Sequence, residues 1–344
     1  MADRVLYFPS IQVPSNNWFA RMLLYWDSVA TIVPTAALGD PEILGTSTHL
    51  LIEEKLLEVV TPDNSLWAPS GPRGYRSAFL ELIDRSPWLP RGAPAPERPR
   101  TKVYLDKTGH GLADDLVDRD LAHYVEGPEY AVWFSVEKQT AELLMAFLAL
   151  ILARSGPEPM VPITDRRPSL DALKNVRFES QGQENVLVDT DAIRTCLLRG
   201  VLPAPSAIRA AEIATFKSKH QKELSVMRVA VEQEVLKAAL IDDLTYRERS
   251  LELSVTKLRQ QTDEVRARMK ESGWRDISVS NVVGAVGATV ALADALVTGG
   301  VLTLAAASIG LLGASWGAYE GTRSKEDWLN RPMAYAAVAQ RDFG

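Results

Sequence analysis

Apolar runs and helical patterns alternate from the beginning of the chain. Val5 to Phe8 form an apolar run that is typical of a buried strand, and Val29 to Val33 form a second one. Between them, residues 18–26 carry apolar side chains at helical spacing, and Ser15 is the expected N-cap. This strand–helix–strand order predicts an N-terminal domain of the α+β or α/β class.

The same patterns predict further elements as far as residue 203. Residues 143–152 are apolar almost all round a helix and span only about 15 Å, too short to cross a bilayer, so they predict a central buried helix. The solvent-exposed face of a short amphipathic helix is expected to carry Leu51, Lys55 and Glu58. The segments assigned in this way are helices over 48–62, 111–125 and 135–156, and strands over 101–106, 161–164 and 185–191.

A different pattern begins after Pro205. As far as Glu271 there is no further proline and no glycine, and charges of both signs are interspersed, which predicts two or three helices. One stripe of side chains, stepping by three or four residues, is expected to face the interior. Its members are Ile213, Phe216, His220, Leu224, Met227 and Val231. Arg228 and Glu232 are expected on another, solvated face of the helix. The heptad pattern does not persist along this region, so a coiled coil is not predicted.

Residues 280–321 form a long apolar segment whose only charged residues are Asp294 and Glu320. Thr298 to Gly300 divide it into halves, each long enough as a helix to match the hydrocarbon core of a bilayer. A glycine recurs every four residues near its end, which predicts close helix packing at Gly313, Gly317 and Gly321. Asp294 and the many small residues weaken insertion, so a membrane hairpin and a hairpin buried in a soluble fold are equal alternatives.

These patterns divide the chain into four parts. An α+β (or α/β) domain is predicted over 1–203, and a charged helical region over 204–277. An apolar helical hairpin follows over 278–321, and a tail over 322–344 closes the chain. The predicted fold class is an α+β or α/β N-terminal domain followed by a mainly helical C-terminal region.

Charge and cysteine content narrow the function classes. The net charge of −6 and the pI of about 5.4 argue against general nucleic-acid binding, which favours a basic surface. Cys196 is the single cysteine, so no intramolecular disulfide can form, and a cytoplasmic location is expected. Its apolar sequence neighbours predict a buried thiol that reacts slowly. No signal peptide is expected from the first residues.

No catalytic or metal-binding motif is recognisable in the sequence. The four histidines have neither HExxH spacing nor a neighbouring cysteine, and no nucleotide-binding glycine loop is present, so neither a metal nor a cofactor is predicted. Two glycine-containing turns are candidates for anion binding through Lys107, His110 and Arg73, with an ordinary turn as the alternative for each. Asp165 is expected as a turn residue or N-cap rather than as a catalytic acid.

Several stretches spread over most of the chain carry a family resemblance. They are "LYFPSIQVPSNNWFARMLLYWDSVATIVP", "TKVYLDKTGHGL", "AELLMAFLALILA" followed by "PITD", "IATFKSKHQKELSVMRVAVEQ" and "RPMAYAAVAQRDF". Together they resemble DUF6236, a bacterial family of unknown function. The resemblance implies a bacterial origin, and it implies no activity and no catalytic residue, because no function is established for the family.

Two hypotheses for the function follow from the sequence. The first is a non-enzymatic partner-binding or effector protein whose C-terminal hairpin associates with the inner membrane. The second is a soluble enzyme or small-ligand-binding protein with its site in the N-terminal domain, near Lys107, His110 or Asp165. The partner under the first hypothesis is the inner membrane or another protein, and the oligomeric state is left open.

Overall fold

The structure, a computed structural model, describes most of the chain outside the long apolar segment. The described residues are 4–62, 74–86, 98–108, 110–125, 133–155, 158–176, 183–205, 209–271 and 328–344, with the backbone alone for 110, 183–189 and 271. The chain divides into two compact units. Unit 1 comprises residues 1–199 and 204–219, and unit 2 comprises residues 200–203 and 220–344.

Short strands alternate with helices in unit 1. The strands are β1 (Arg4–Tyr7), β2 (Ser28–Ile32), β3 (Leu57–Val60), β4 (Arg100–Tyr104), β5 (Ala122–Tyr124), β6 (Trp133–Glu137) and β7 (Val161–Ile163). The α-helices are α1 (Asn17–Tyr25), α2 (Pro41–Leu44), α3 (Thr46–Glu53), α4 (Tyr75–Arg85), α5 (His110–Asp118), α6 (Lys138–Ser155), α7 (Arg167–Asn175), α8 (Gln183–Val201) and α9 (Ala210–Lys219). The last two residues of α8 belong to unit 2. Single 3₁₀ turns lie at Thr35–Ala37 and Leu105–Lys107.

Four parallel strands form the larger sheet of unit 1, in the order β3-β2-β1-β7. Val5 of β1 pairs with Val29 of β2 on one side and with Val161 of β7 on the other. Almost every side chain of β1 and β2 is buried, as expected for parallel strands covered on both faces. The chain fills one side of β1 first, through β2 and β3, and returns to the other side of β1 with β7.

A smaller antiparallel sheet has the order β4-β6-β5. The long helix α6 packs against β1 and β7 of the parallel sheet and against β4 and β6 of the antiparallel one. Almost all of its apolar run over 143–152 is buried, which confirms the predicted central buried helix. A single helix therefore connects the two sheets of unit 1 through one apolar core.

A buried carboxylate begins α6. Glu137 accepts hydrogen bonds from the backbone N–H groups of Gln139 at 3.0 Å and Thr140 at 2.7 Å, and from the Thr140 hydroxyl at 2.8 Å. The carboxylate satisfies amides of the first turn and lies at the positive end of the helix dipole. This cap fixes the start of α6, whose first two turns carry Glu142 and Met145.

Two predicted helices of unit 1 end earlier than their apolar pattern suggested. The segment 48–62 is α3 followed by β3, because the left-handed backbone of Lys55 (φ 57°) breaks the helix. Leu51, which was expected to be exposed to solvent, is consequently buried. The segment 111–125 likewise ends as β5, after Asp120 with φ 57°. A positive φ at a non-glycine residue carries little sequence signal, so both boundaries were missed.

Two other local predictions are also wrong. The strand predicted over 185–191 lies within α8. The N-cap of α1 is Asn16 rather than Ser15, since the Asn16 side-chain oxygen accepts the N–H of Phe19 at 2.9 Å. Adjacent polar residues compete for a cap position, and the exact start of the helix decides between them.

Cys196 of α8 is exposed, so the prediction of a buried thiol is wrong. The buried face of this part of the helix is formed by Ile193, Leu197 and Leu198 instead. Apolar neighbours in sequence therefore did not determine the direction of the Cys196 side chain, because residues one apart on a helix point about 100° away from each other.

Helices make up unit 2 within the residues that the structure describes. They are α10 (Gln221–Ala239), α11 (Leu244–Glu271) and α12 (Ala334–Phe343). α12 packs against α10 and α11, and its Gln340 amide donates to the Val201 carbonyl at 2.7 Å. With α9, these helices confirm the helical region predicted after Pro205. The predicted stripe is buried at every position, namely Ile213, Phe216, His220, Leu224, Met227 and Val231.

Arg228 and Glu232 of α10 are buried, contrary to the solvated face predicted for them. α10 packs against both α11 and α12, so it is covered on more than one side. A helix covered in this way buries polar side chains that a single amphipathic stripe would leave in water.

A polar network joins α10 to α11. The Glu234 side chain is 7% exposed and accepts hydrogen bonds from Lys237 at 2.8 Å, Lys257 at 2.7 Å and Ser254 at 2.8 Å. Burial opposes ionisation of this carboxyl, but the hydrogen bonds from the two lysines and the serine outweigh that effect and lower the pKa of Glu234 to about 2. The network therefore holds an ionised carboxylate between the two helices.

Candidate functional site

A cavity of about 720 Å³ opens in unit 1 at the carboxyl ends of β1 and β7. Its wall includes the segment 9–14 that follows β1, and Asp165 and Arg166 that follow β7. The order of the sheet reverses between these two strands, because β1 continues to β2 on one side and β7 arrives on the other. Ligands of open α/β sheets bind in the crevice at such a switch point. The topology therefore identifies this cavity as the candidate site.

Asp165 is held at the mouth of the cavity by two donors. Its carboxylate accepts the Tyr7 hydroxyl at 3.2 Å and the Asn16 side-chain amide at 3.0 Å. Because the Asn16 oxygen also caps α1 through Phe19, the amide group has a fixed orientation. One carboxylate thus connects the end of β1, the start of α1 and the loop after β7. It retains acceptor capacity for a hydroxyl or amine of a ligand.

Tyr7 is the last residue of β1 and is almost fully buried. Burial raises the pKa of its phenol, and the neighbouring Asp165 carboxylate raises it further. The hydroxyl is therefore protonated at neutral pH and serves as a hydrogen-bond donor in the cavity wall.

Lys107 contributes a buried amine to the same wall. It ends the 3₁₀ turn after β4, its exposure is 3%, and its Nζ donates to the Pro9 carbonyl at 3.3 Å. It forms no ion pair with any residue that the structure describes. Burial lowers the pKa of the Lys107 amine to about 7. The amine is therefore present at neutral pH both as a cation and as a free base.

The side of the cavity formed by the antiparallel sheet is largely aromatic. The rings of Tyr104 and Trp133 lie on paired positions of β4 and β6, with centroids 4.8 Å apart in an edge-to-face arrangement. Val103 of β4 and Met145 of α6 extend this apolar surface. The site therefore combines a wall for an apolar body with a few polar groups, as small-molecule sites usually do.

Glu142 adds a second carboxylate from the cavity face of α6. Its side chain accepts a hydrogen bond from the hydroxyl of Ser169, a fully buried residue of α7. Since Glu142 lies one turn after the capped start of α6, the Glu137 cap also positions it. Among the described residues, the cavity wall thus includes the carboxylates of Glu142 and Asp165 and the buried amine of Lys107.

The structure brings together two of the residues singled out from the sequence. Lys107 and Asp165 line the same cavity, although 58 positions separate them in the chain. His110 begins α5, and its side chain is not described; Arg73 lies outside the described residues. The anion-binding role assigned to these residues stays a prediction.

Tyr7, Asn16 and Glu142 were missed by the sequence analysis. Tyr7 was read as one residue of a buried strand, and Glu142 as part of a long apolar helix. The sequence did contain a signal for two of them, since Tyr7 places a hydroxyl at the end of β1 and Glu142 is the single acidic residue of the apolar helix α6. Neither signal shows by itself that Tyr7 and Glu142 face one cavity.

Gly313, Gly317 and Gly321 lie outside the described residues, as does the whole segment 280–321, so the hairpin and its glycine packing stay predictions. Within the described ranges, no helix combines the length and apolarity needed to span a membrane. The same residues contain no cluster of His, Cys, Asp or Glu side chains able to hold a metal ion.

Comparison with known proteins confirms the family resemblance for the second half of the chain. The model described as "Family of unknown function (DUF6236)" matches residues 177–344, a range that includes the helices from α8 to α12. The quoted stretches "IATFKSKHQKELSVMRVAVEQ" and "RPMAYAAVAQRDF" lie inside this match, whereas those before residue 177 lie outside it. Neither the curated proteins nor the solved structures contain a significant match.

Proposed function

We propose that this chain, which carries a DUF6236 region over residues 177–344, binds a small organic molecule in the crevice of unit 1. The apolar part of the ligand lies against Tyr104 and Trp133. An oxygen of the ligand accepts a hydrogen bond from Lys107, and a hydroxyl or amine of the ligand donates to Asp165. The function is thus that of a ligand-binding or catalytic site in unit 1, and the region that matches the family model overlaps unit 1 through residues 177–199 and 204–219.

The buried amine of Lys107 carries this proposal. Lys107 pairs with no carboxylate among the described residues, and an unpaired lysine amine is costly to bury, so proteins seldom keep one in a core for stability alone. Its position in a cavity wall, facing the same space as Asp165 and Glu142, supports a role toward a ligand. Perturbed ionisable groups in a cleft are typical of functional sites.

The test is binding of a small aromatic hydroxy acid to the full chain, with para-hydroxybenzoate as the first probe of a panel of hydroxy acids and hydroxy-carbonyl compounds. Saturation-transfer NMR should show contact between the probe and the protein. Ala141→Leu, which enlarges a buried side chain in the cavity wall, should abolish the contact. Lys107→Met should weaken it, whereas Lys174→Met, on the exposed end of α7, should not.

Two results would contradict the proposal. One is that no member of the panel binds to the wild-type chain. The other is that binding persists unchanged in Ala141→Leu and Lys107→Met, because the ligand would then occupy a different surface.

We propose, as a second function, that residues 280–321 associate with a membrane. The sequence supports this with two helix-length apolar halves and only two charges, Asp294 and Glu320. Basic residues precede the segment and follow it, as expected for a hairpin with both ends on the cytoplasmic side. Such an association would bring unit 1 to the membrane as a partner-binding or effector module.

Fractionation of cells that express the full chain tests the second function. The chain should be recovered with inner membranes and released by detergent, and a variant without residues 278–321 should not. Recovery of the full chain entirely in the soluble supernatant, without detergent, would contradict the membrane hairpin.

A further inference from the structure

Two lysines line the cavity of unit 1, and they differ in their surroundings. Lys102 on β4 is exposed, whereas Lys107 is almost completely removed from solvent. Lys107 contacts a backbone carbonyl, that of Pro9, which accepts a hydrogen bond from either protonation state of the amine. No described carboxylate pairs with Lys107 to hold it as an ammonium ion. Its surroundings therefore favour an uncharged, nucleophilic amine.

We infer that Lys107 forms an imine with an aldehyde or ketone bound in the cavity, an inference that rests on the proposed ligand-binding function of that cavity. Lowering of the Lys107 pKa by burial makes a large share of the amine available as a nucleophile near neutral pH. Desolvation in an apolar pocket is one of the established ways in which proteins activate a lysine for this reaction.

The reaction balances with the groups present. The Lys107 nitrogen lone pair attacks the carbonyl carbon, the C=O electron pair moves to oxygen, and one proton passes from nitrogen to that oxygen to give a carbinolamine. The hydroxyl then leaves as water after receiving a proton, and the nitrogen lone pair forms the C=N bond while its second proton is lost. The overall change is amine plus carbonyl compound to imine plus water, with no oxidant or reductant.

Polar groups that can assist these steps line the same cavity. The Tyr7 hydroxyl is a hydrogen-bond donor, and the carboxylates of Asp165 and Glu142 are hydrogen-bond acceptors. Among the described residues, the other charged groups that line the cavity are Lys102, Arg166 and Glu42. The apolar wall of Tyr104 and Trp133 selects a carbonyl compound with an aromatic or other apolar body.

Reductive trapping in the full chain tests the inference. The protein is incubated with para-hydroxybenzaldehyde and sodium cyanoborohydride, which converts an imine to a stable benzylamine, and each lysine is followed by peptide mass spectrometry. At pH 7 Lys107 should be labelled at least about tenfold faster than Lys102 and Lys174, because a surface lysine with a pKa near 10.4 is almost entirely protonated there. The advantage should shrink toward pH 10, and Ala141→Leu should slow labelling at Lys107 alone.

The outcomes separate this inference from the proposed function. If Lys107 is labelled no faster than the two control lysines while para-hydroxybenzoate still binds in the cavity, the imine is excluded and ligand binding stands. If no member of the panel binds and Lys107 is labelled no faster than the control lysines, both proposals fail. Because the labels are read in the wild-type chain, the result does not depend on a variant that folds poorly.

Discussion

Lys107→Met should stabilise unit 1 at neutral pH, and the gain should decrease as the pH rises. The folded protein holds Lys107 with a pKa of about 7, against an ordinary value of 10.5 for an unburied lysine. Between these two values the unfolded chain binds a proton that the folded chain does not, so the stability of the wild type rises with pH. Methionine fills a similar volume and has no proton to lose, so the variant lacks this rise.

The magnitude follows from the two pKa values. Each pKa unit corresponds to about 1.4 kcal/mol, so burial of the Lys107 cation costs at most about 4 kcal/mol at pH 7. The cost falls to about 2 kcal/mol at pH 9 and vanishes above the pKa of the unfolded chain. The difference in unfolding free energy between Lys107→Met and wild type should therefore decrease by about 2 kcal/mol between pH 7 and pH 9.

Pulse proteolysis in urea at pH 7, 8 and 9 measures this difference in unfolding free energy. Cleavage is followed through peptides from α6, which report on the unfolding of unit 1. Lys174→Met is the matched control, because it removes an exposed lysine from α7 and should show no such pH dependence. A difference between Lys107→Met and wild type that stays constant from pH 7 to pH 9 would refute the depressed pKa. It would also remove the main physical reason to regard Lys107 as functional.

Three further outcomes are expected. Glu234→Gln should destabilise unit 2 by about 1–3 kcal/mol at pH 7, since it weakens charge-assisted hydrogen bonds from two half-exposed lysines. Denaturation followed through hydrogen exchange of α10 and α11 amides measures the stability difference between Glu234→Gln and the wild type. This difference should fade as the pH falls from about 4.5 toward 2, because in this window the folded carboxylate keeps its charge and the unfolded one loses it. Equal stability of the two proteins at pH 7 would contradict the network. Cys196 should react with a thiol reagent in the native protein about as fast as after denaturation, and strong protection in the native protein would contradict an exposed thiol. Gly313→Leu should increase recovery with membranes if residues 280–321 insert, and should lower the melting temperature if they are packed inside a soluble fold; no change in either measurement would rule out the predicted close helix contact.

The sequence alone was sufficient for elements whose pattern is long and periodic. The stripe from Ile213 to Val231 and the apolar run in α6 were predicted correctly, because repeated spacing over several turns outweighs local ambiguity. The strand–helix–strand beginning also follows from short apolar runs separated by a helical segment. Polar side chains on α10 were misplaced because a helix can be covered on more than one side, and the sequence of one helix does not show what packs against it.

The candidate site depended on tertiary structure. Lys107 and Asp165 were each noticed as residues of a turn, but only the reversal of strand order around β1 and the packing of β4 against α6 bring them to one cavity with Tyr7 and Glu142. Exposure of Cys196 and burial of Lys107 were likewise decided by the direction of side chains in the folded chain. The sequence determined the helices with long periodic patterns, such as α6 and α10, since those patterns depend on neighbours along the chain. The chemistry of the cavity depends on neighbours across it, which only the assembled fold defines.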